Sequence, residues 1–291
     1  MHTTLRVAQI NPALGDLASN LDMHVAEVDQ AVADGAELIL FPELSLTGYF
    51  LKDQTSELAL PPDAPFFAPL LERSKSISIA FGFAERARDG RLYNAVAFLE
   101  DGRVLHVHRK VHLVSYGMFD EGRDFGAGSS FAAFDSRRGR FGILTCEDFW
   151  HLPGPYLYFL QGVDGMLVPS ASPARGVAER DRDEDGAARL RSAVVWSRLL
   201  EARALLTQTF VVYANRVGWE DGIGFGGQSC VFDPFGRELG RLPALESGRL
   251  TTRLEGSLAR RARVQTPLRR DEKVWLLREE LARLEREGAI S

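Results

Sequence analysis

The sequence predicts an α/β fold in which mixed β-sheets pack between layers of helices. Short β-rich segments alternate with helical patterns along all 291 residues, and no internal repeat or low-complexity linker divides them. Asp-Gly turns at residues 89–90 and 101–102 join three of these segments as hairpins, which predicts antiparallel pairing there. We therefore expect one domain over residues 1–291, with residues 265–291 as a C-terminal helical extension.

The first elements predict a β-α-β unit. Residues 5–10 and 37–41 are nearly continuous apolar runs, which is typical of buried strands. Between them, residues 20–33 have apolar side chains near positions i, i+4 and i+7, which predicts an amphipathic helix. Such a unit places its second strand beside its first.

The remaining elements continue the alternation. Hairpin strands are predicted over 78–84, 92–99 and 104–111, and further strands over 141–144, 165–168, 210–213 and 229–232. A long helix is predicted over 190–207. The last helical pattern, over 272–287, places Val274, Leu277, Leu281 and Leu284 on one stripe, which predicts packing against a neighbouring element or a second subunit.

Composition and charge narrow the class of protein. The chain is 45% hydrophobic and 26% charged. Its net charge of −5 argues against a general nucleic-acid binder, which would carry an excess of basic residues. Its two cysteines, Cys146 and Cys230, do not form a disulfide framework pattern, which favours a reducing compartment. No basic leader precedes an apolar segment, and no apolar run approaches roughly 18 residues. We expect a cytoplasmic protein outside the membrane that acts on a small molecule.

Three polar residues follow predicted strands, where open α/β sheets usually build their sites. Cys146 lies at a strand-to-helix turn, where backbone N–H groups would stabilise a thiolate. Glu43 lies within an apolar stretch, so burial would raise its pKa and suit it to act as a general base. Lys110 near Glu43 would stay charged and donate hydrogen bonds to an oxyanion.

Each of these residues also has a structural interpretation. A lone cysteine is often a small buried hydrophobe, and Cys230, inside a predicted strand, keeps that interpretation. Glu43 is equally compatible with a partner of a backbone turn, and Lys110 with a strand lysine that faces solvent. Trp196 on the long helix is interpreted as core or interface packing.

A metal-dependent hydrolase is the rival chemistry. His106, His108 and His112 lie on one strand-like segment, with His106 and His108 on one face. No convincing set of acidic ligands accompanies them, and the same segment carries Lys110, so we predict no metal and no cofactor. A non-catalytic binding protein is the third interpretation, against which the combination of Glu43, Lys110 and Cys146 counts.

Three sequence blocks resemble a known family. The stretches FPELSLTGYF, HRKVHLVSYGMFDEGRDF and GILTCEDFW resemble, in order and at family-like separations, the signature blocks of the nitrilase superfamily of carbon–nitrogen hydrolases. Within this superfamily, the chain is most similar to the glutaminase domain of glutamine-dependent NAD synthetases. Four segments carry that similarity, namely QINPALGDLASNL, PELSLTGY, residues 116–121 and CEDFW. The similarity covers most of residues 5–240. It implies an αββα four-layer sandwich, a homodimer or higher homo-oligomer, and no cofactor.

The resemblance also implies a cysteine mechanism. Glu43 would deprotonate Cys146, Cys146 would attack the amide carbon, and Lys110 with the backbone after Cys146 would hold the oxyanion. Ammonia would leave first, and water activated by Glu43 would hydrolyse the thioester. Glu121 matches the family's second glutamate, which would orient Lys110 or the substrate. The expected activity is that of an amidase acting on a small linear amide.

Substrate contacts follow from the same resemblance. The glutaminase-like branch lines the pocket for the substrate's amino-acid end at positions that match Tyr49, Tyr116, Glu147, Trp150 and Ser172. This chain departs from the branch at Ala178, where a basic residue is usual, although Arg175 and Arg180 flank the gap and either would suit a carboxylate. Residues 181–191 look inserted. A glutamine-like amide is expected, with an N-carbamoyl compound as an alternative.

The relation to a synthetase stays open. Such synthetases attach an ATP-using domain with a Ser-Gly-Gly-x-Asp-Ser loop, and these 291 residues contain neither that motif nor a Walker-type loop. A free-standing amidase is therefore the leading expectation. A glutaminase subunit that supplies ammonia to a separate synthetase partner is the alternative.

Overall fold

The computed structural model describes residues 2–182 and 188–290, without the side chains of residues 177–182, 188 and 189. The strands are β1 (His2–Gln9), β2 (Leu38–Leu40), β3 (Ser78–Arg86), β4 (Leu92–Glu100), β5 (Arg103–Arg109), β6 (Phe134–Ser136), β7 (Gly139–Ile143), β8 (Gly165–Ser170), β9 (Val177–Arg182), β10 (Ala188–Leu190), β11 (Phe210–Asn215), β12 (Val217–Glu220), β13 (Ile223–Gly226), β14 (Cys230–Phe232), β15 (Glu238–Arg241) and β16 (Gly248–Glu255). The α-helices are α1 (Leu17–Ala33), α2 (Thr55–Leu58), α3 (Ala68–Arg73), α4 (Glu121–Asp124), α5 (Pro153–Gln161), α6 (Arg191–Thr207), α7 (Gly256–Gln265), α8 (Leu268–Asp271) and α9 (Val274–Arg286). In this described part of the chain, every helix is too short or too polar to cross a lipid bilayer.

Two mixed six-stranded sheets form the centre of the molecule. The first has the order β16-β1-β2-β3-β4-β5, and the second has the order β15-β14-β11-β8-β7-β6. Strands β1, β2 and β3 are parallel neighbours, and β3, β4 and β5 pair as antiparallel hairpins. The predicted β-α-β unit and the predicted hairpins are therefore confirmed.

The sheets pack face to face, and helices cover their outer faces. On β2, Leu38 points into the cluster between the sheets, while Ile39 packs in the cluster formed with α1 and α3. On β8, Leu167 lies between the sheets, while Met166 packs with Leu200 of α6. Strands buried on both faces are apolar at successive positions, which is why these segments do not alternate in sequence. The αββα sandwich is confirmed.

The predicted elements form with shifted boundaries. Helix α1 begins three residues earlier than expected, because Asp16 caps it by accepting the backbone N–H of Ser19 at 3.1 Å. Strand β5 ends at Arg109, so Lys110 lies just beyond it. The hairpins β9–β10 and β12–β13 were not predicted. Of the segment that looks inserted, residues 183–187 lie outside the described residues.

Helix α9 buries none of its residues in this chain. Val274, Leu277 and Leu281 are between 41% and 46% exposed and Leu284 is half-buried, so most of the predicted apolar stripe faces outward. The expected packing against a neighbouring element is therefore not formed within the described part of the chain. Packing against a second subunit stays a prediction.

Strand β3 passes directly behind the segment that follows β2. An ideal Cβ at Gly82 would lie 2.2 Å from the backbone nitrogen of Leu44 and 2.7 Å from the carbonyl oxygen of Pro42. The carbonyl oxygen of Gly82 also accepts the backbone N–H of Leu46 at 3.0 Å. Only a residue without a side chain permits this approach, so Gly82 fixes the path of residues 42–46.

We expect Gly82→Ala to lower the free energy of unfolding by about 2 kcal/mol, because the atoms that its Cβ would meet are backbone and cannot rotate away. Urea denaturation measures the effect. Gly122→Ala is the matched control, since a Cβ at Gly122 would meet nothing within 4 Å. Equal unfolding free energies for the two variants would contradict this account.

Candidate active site

Glu43, Lys110 and Cys146 converge where the ends of the two sheets meet. Glu43 lies three residues beyond β2 and Lys110 directly follows β5, both in the first sheet. Cys146 lies three residues beyond β7, in the second sheet. Polar groups that follow strand ends in this way are free of the strand ladder, so their side chains can turn toward a shared point.

Lys110 is fully buried between two carboxylates. Its Nζ donates to Oε1 of Glu43 and to Oε1 of Glu121, each at 2.7 Å. Burial alone would lower the pKa of Lys110, but the two carboxylates outweigh it and raise the pKa well above its ordinary value. Lys110 is therefore a positively charged group, and its interpretation as a solvent-facing strand lysine is wrong.

Glu43 is held by three donors. Besides Lys110, the side-chain amide of Asn94 donates to Oε1 at 2.8 Å, and the backbone N–H of Ala171 donates to Oε2 at 2.8 Å. Burial raises the pKa of Glu43 although the charge of Lys110 opposes the rise. The direction is the one expected from the sequence. Glu43 can therefore accept a proton closer to neutral pH than an exposed glutamate.

Cys146 lies on a strained turn that leads into a short 3₁₀ helix, Cys146–Phe149. Its φ of +46° is in the left-handed region, which is costly for a residue with a side chain. Burial, together with the negative charge of Glu43, raises the pKa of the Cys146 thiol well above its usual value. The charge of Lys110 and the backbone N–H of Ala171 lower this pKa, but burial and the charge of Glu43 outweigh them. A protonated thiol needs a base before it can act as a nucleophile.

Asp148 ties the Cys146 turn to the segment after β5. Its Oδ1 accepts the backbone N–H groups of Val111 and His112 at 3.0 and 2.8 Å, and its Oδ2 accepts that of Thr145 at 3.3 Å. Burial would raise the pKa of Asp148, but hydrogen bonds from His108 and His112 lower it far below its ordinary range. One buried carboxylate thus links the chain next to Lys110 with the chain next to Cys146.

The three histidines of this segment do not share a point of convergence. His108 and His112 contact Asp148, whereas His106 stacks on Phe134 with ring centroids 4.4 Å apart. Within residues 2–182 and 188–290, no three His, Cys, Asp or Glu side chains are grouped so that they could hold a metal ion. His108 and His112 support a structural carboxylate instead of forming a ligand set.

Glu121 connects Lys110 with the wall of a cavity. Its Oε1 accepts the hydroxyl of Tyr49 at 2.5 Å in addition to Lys110, and its Oε2 accepts the backbone N–H of Val114 at 2.9 Å. Burial and the negative charge of Glu121 raise the pKa of Tyr49. Glu121 was expected to orient either Lys110 or the substrate. The structure contains its contact with Lys110.

A cavity of about 490 Å³ opens over Cys146, which is partly exposed to it. The five residues expected to contact substrate all line this cavity, namely Tyr49, Tyr116, Glu147, Trp150 and Ser172. The hydroxyl of Tyr116 donates to Glu147 at 3.0 Å, and burial together with this bond raises the pKa of Tyr116 to about 12. Glu147 thus presents a carboxylate to a cavity that five aromatic side chains help to line.

Two guanidinium groups line the same cavity. Arg175 was considered from the sequence, whereas no pattern indicated Arg191, the first residue of α6. Among the described residues, neither forms an ion pair with a carboxylate. The side chains of Ala178 and Arg180 lie outside the described part of the chain, so Arg180 as an alternative stays a prediction.

Trp196 has a role that the sequence did not indicate. It is buried in the core, as expected, with 3% of its surface exposed, but it also lines the cavity. Its indole N–H donates to the hydroxyl of Ser172 at 2.8 Å. In a sequence, a tryptophan that lines a cavity has the same position on a helical apolar stripe as one that only packs in the core. The two roles differ in whether the indole N–H faces a polar partner, which only the structure shows.

Comparison with known proteins identifies the family. Residues 4–264 match the family model described as carbon-nitrogen hydrolase. The glutamine-dependent NAD(+) synthetase of Acinetobacter baylyi is 30% identical over 242 residues, which are 83% of this chain and 42% of the synthetase. The chain thus spans less than half the length of that relative. A Pseudomonas protegens protein described as "Hydrolase in pqqF 5'region" is 30% identical over 268 residues, 87% of this chain and 85% of that protein.

A solved structure shows the same fold. It is a variant of the amidase from Nesterenkonia sp. AN1 with the acetamide moiety of fluoroacetamide added covalently at the active-site cysteine. It superimposes with a TM-score of 0.76 over 95% of this chain and 96% of the amidase, at 23% sequence identity. The resemblance carried by the three sequence blocks is confirmed. The chain belongs to the carbon-nitrogen hydrolase family.

Proposed function

We propose that this carbon–nitrogen hydrolase is an amidase that cleaves a small linear amide through a thioester on Cys146 and releases ammonia. The observation that carries the proposal is the buried Lys110 ammonium, which two carboxylates hold beside the only described cysteine that reaches a cavity. The amidase whose active-site cysteine carries an acetamide moiety supports a covalent step on cysteine in this fold.

In the first step, Glu43 accepts the thiol proton as the sulfur of Cys146 attacks the amide carbon. The new C–S bond forms while the carbonyl electron pair moves onto oxygen. Lys110 has three N–H donors, and two of them are used by Glu43 and Glu121. The third can donate to the oxyanion together with the backbone N–H of Glu147, so the negative charge develops where donors are already fixed.

In the second step, the tetrahedral intermediate collapses. Glu43 returns its proton to the amide nitrogen, the C–N bond breaks, and ammonia leaves. Water then gives a proton to Glu43 and attacks the thioester carbon. The C–S bond breaks, a carboxylic acid leaves, and Glu43 returns the proton to the sulfur of Cys146. The bonds from Asn94 and Ala171 keep the Glu43 carboxylate in place during these proton transfers.

A glutamine-like substrate fits the charges of the cavity. Glu147 offers a carboxylate that suits an ammonium group, and Arg175 and Arg191 offer guanidinium groups that suit a carboxylate. An α-amino acid whose side chain ends in a primary amide, such as glutamine, carries both charges at the end remote from the scissile bond. The likeness to a glutamine-dependent NAD(+) synthetase supports the same substrate, with ammonia supplied to a separate synthetase as the alternative use.

We expect Cys146→Ala to reduce ammonia release by at least about 10³-fold, because no other group can form the thioester. Ammonia is measured for a panel of small amides that includes glutamine. Cys230→Ala is the matched control and should retain activity, since Cys230 is buried in β14 away from the cavity. Turnover that persists in purified Cys146→Ala would contradict the mechanism.

The pH dependence of kcat/KM tests Glu43 as the base. The ionised fraction of Glu43 falls as the pH drops through its raised pKa, so activity should be lost on the acid side at a pH above the ordinary glutamate pKa of about 4.3. Asn94→Leu removes a donor to the ionised carboxylate and should move this loss to higher pH. An acid limb in the range of exposed glutamates, or one that Asn94→Leu leaves in place, would contradict this role.

We expect Arg191→Gln to raise the KM for glutamine about 10- to 100-fold, because a hydrogen bond to a charged group is lost, and to leave butyramide turnover unchanged. Steady-state ammonia release with both substrates measures the difference. Arg203→Gln is the matched control on the same helix, since Arg203 lines a different cavity. An equal effect on both substrates would remove the argument for a carboxylate-binding role.

A further inference from the structure

A carboxylate from a distant hairpin fastens the segment that carries Tyr49. Oε2 of Glu220, the last residue of β12, accepts the backbone N–H groups of Tyr49 and Phe50 at 2.9 and 3.1 Å. At Gly48, where φ is +80°, an ideal Cβ would lie 3.0 Å from Oε1 of the same carboxylate. The backbone of this segment therefore follows the surface of one buried side chain.

Arg216 holds that carboxylate from the other side. Its guanidinium pairs with Oε1 of Glu220, lies over the ring of Phe225 at 4.3 Å, and donates to the carbonyl oxygen of Pro12 at 3.3 Å. Both partners of the ion pair are at most 5% exposed. A buried pair of this kind adds little net stability, because desolvation offsets its Coulomb energy, but it fixes geometry strictly since neither charge can be left alone.

The contacts continue from Tyr49 to the reacting groups. The ring of Tyr49 packs near the Phe225 ring, with centroids 6.1 Å apart, and its hydroxyl donates to Oε1 of Glu121. That oxygen is the one that also accepts from Lys110. A displacement of Tyr49 would therefore change the partner that holds Lys110 in line, although neither Arg216 nor Glu220 lines the cavity.

We infer that Arg216 and Glu220 are positioning residues for amide hydrolysis, which fix Tyr49 and, through Glu121, the ammonium of Lys110. The inference rests on the proposed function for the reaction it serves. The contacts form a single path, which runs from the buried ion pair through the Tyr49 hydroxyl to Glu121. Effects of changes at Glu220 and at Tyr49 should consequently not be independent.

A double-mutant cycle tests this path. We expect Glu220→Gln, which keeps the length of the side chain but removes the charge opposite Arg216, to lower kcat about 10- to 100-fold with a much smaller change in KM. Tyr49→Phe should lower kcat similarly. Because both act on one path, the double variant should be no slower than the slower single variant, whereas independent effects would multiply.

Asp221→Asn is the matched control. Asp221 forms an exposed ion pair with Lys52 at 2.7 Å, so it also joins the hairpin after β11 to the segment near Tyr49, but it contacts neither the Tyr49 backbone nor Glu121. Its kcat should equal that of the unmodified protein. If Glu220→Gln does not fold, Arg216→Lys replaces it, since that variant keeps the charge opposite Glu220 and loses only the guanidinium contacts.

A second readout does not depend on turnover. Iodoacetamide alkylates Cys146 as the thiolate forms a C–S bond and displaces iodide, and mass spectrometry measures the rate against pH. Cys230 is fully buried, so it adds little background. The pH profile of alkylation should shift in Glu220→Gln and stay unchanged in Asp221→Asn, because only the first alters how Lys110 and Glu43 face the thiol.

The outcomes separate this inference from the proposed function. A lower melting temperature with unchanged kcat and unchanged alkylation would show a structural role only and overturn the inference, and so would multiplicative effects in the cycle. If the unmodified protein hydrolyses no amide in the panel while the alkylation profile still shifts in Glu220→Gln, the positioning role stands and the proposed function fails.

Discussion

The burial of one ammonium group governs the whole site. Lys110 has no access to water, and its charge is stable there only because two carboxylates lie within hydrogen-bond distance. Two carboxylates and one ammonium leave a surplus of negative charge, so the ionisation of a nearby thiol is disfavoured. When the proton of Cys146 moves onto Glu43, the charge shifts from oxygen to sulfur without a new charge being created. The resting site and the reacting site thus have the same net charge.

The four-layer architecture follows from what this group requires. Partners must reach Lys110 from different parts of the chain, and each must be held without water. The ends of the two sheets supply Glu43 and Cys146, and a close backbone approach at Gly82 fixes the segment that carries Glu43. Asp148 then links the two sides through backbone N–H groups. A single sheet could supply only one of these sides, which is why the site lies between two.

The sequence was informative wherever a polar residue follows an apolar run. Glu43, Lys110 and Cys146 stand out for that reason, and the predicted strands that precede them all form. Asn94 and Asp148 are different, because one lies within strand β4 and the other within the 3₁₀ helix that begins at Cys146, and only tertiary contacts show what their side chains hold. The raised pKa of the Cys146 thiol is hidden from the sequence for a similar reason, since neither burial nor the charge of a carboxylate from a distant segment can be read there. The outward-facing stripe of α9 also depends on what surrounds it, which periodicity does not reveal.

The raised pKa of the Cys146 thiol has a consequence for the lifetime of the protein. Peroxide oxidises cysteine through the thiolate, first to sulfenic acid and then to forms that cannot be reduced again. A thiol that burial and a neighbouring carboxylate keep protonated is a slow target for this damage. During attack on an amide, transfer of the thiol proton to Glu43 supplies the nucleophilic sulfur. The same charges that delay ionisation therefore preserve the sulfur between turnovers.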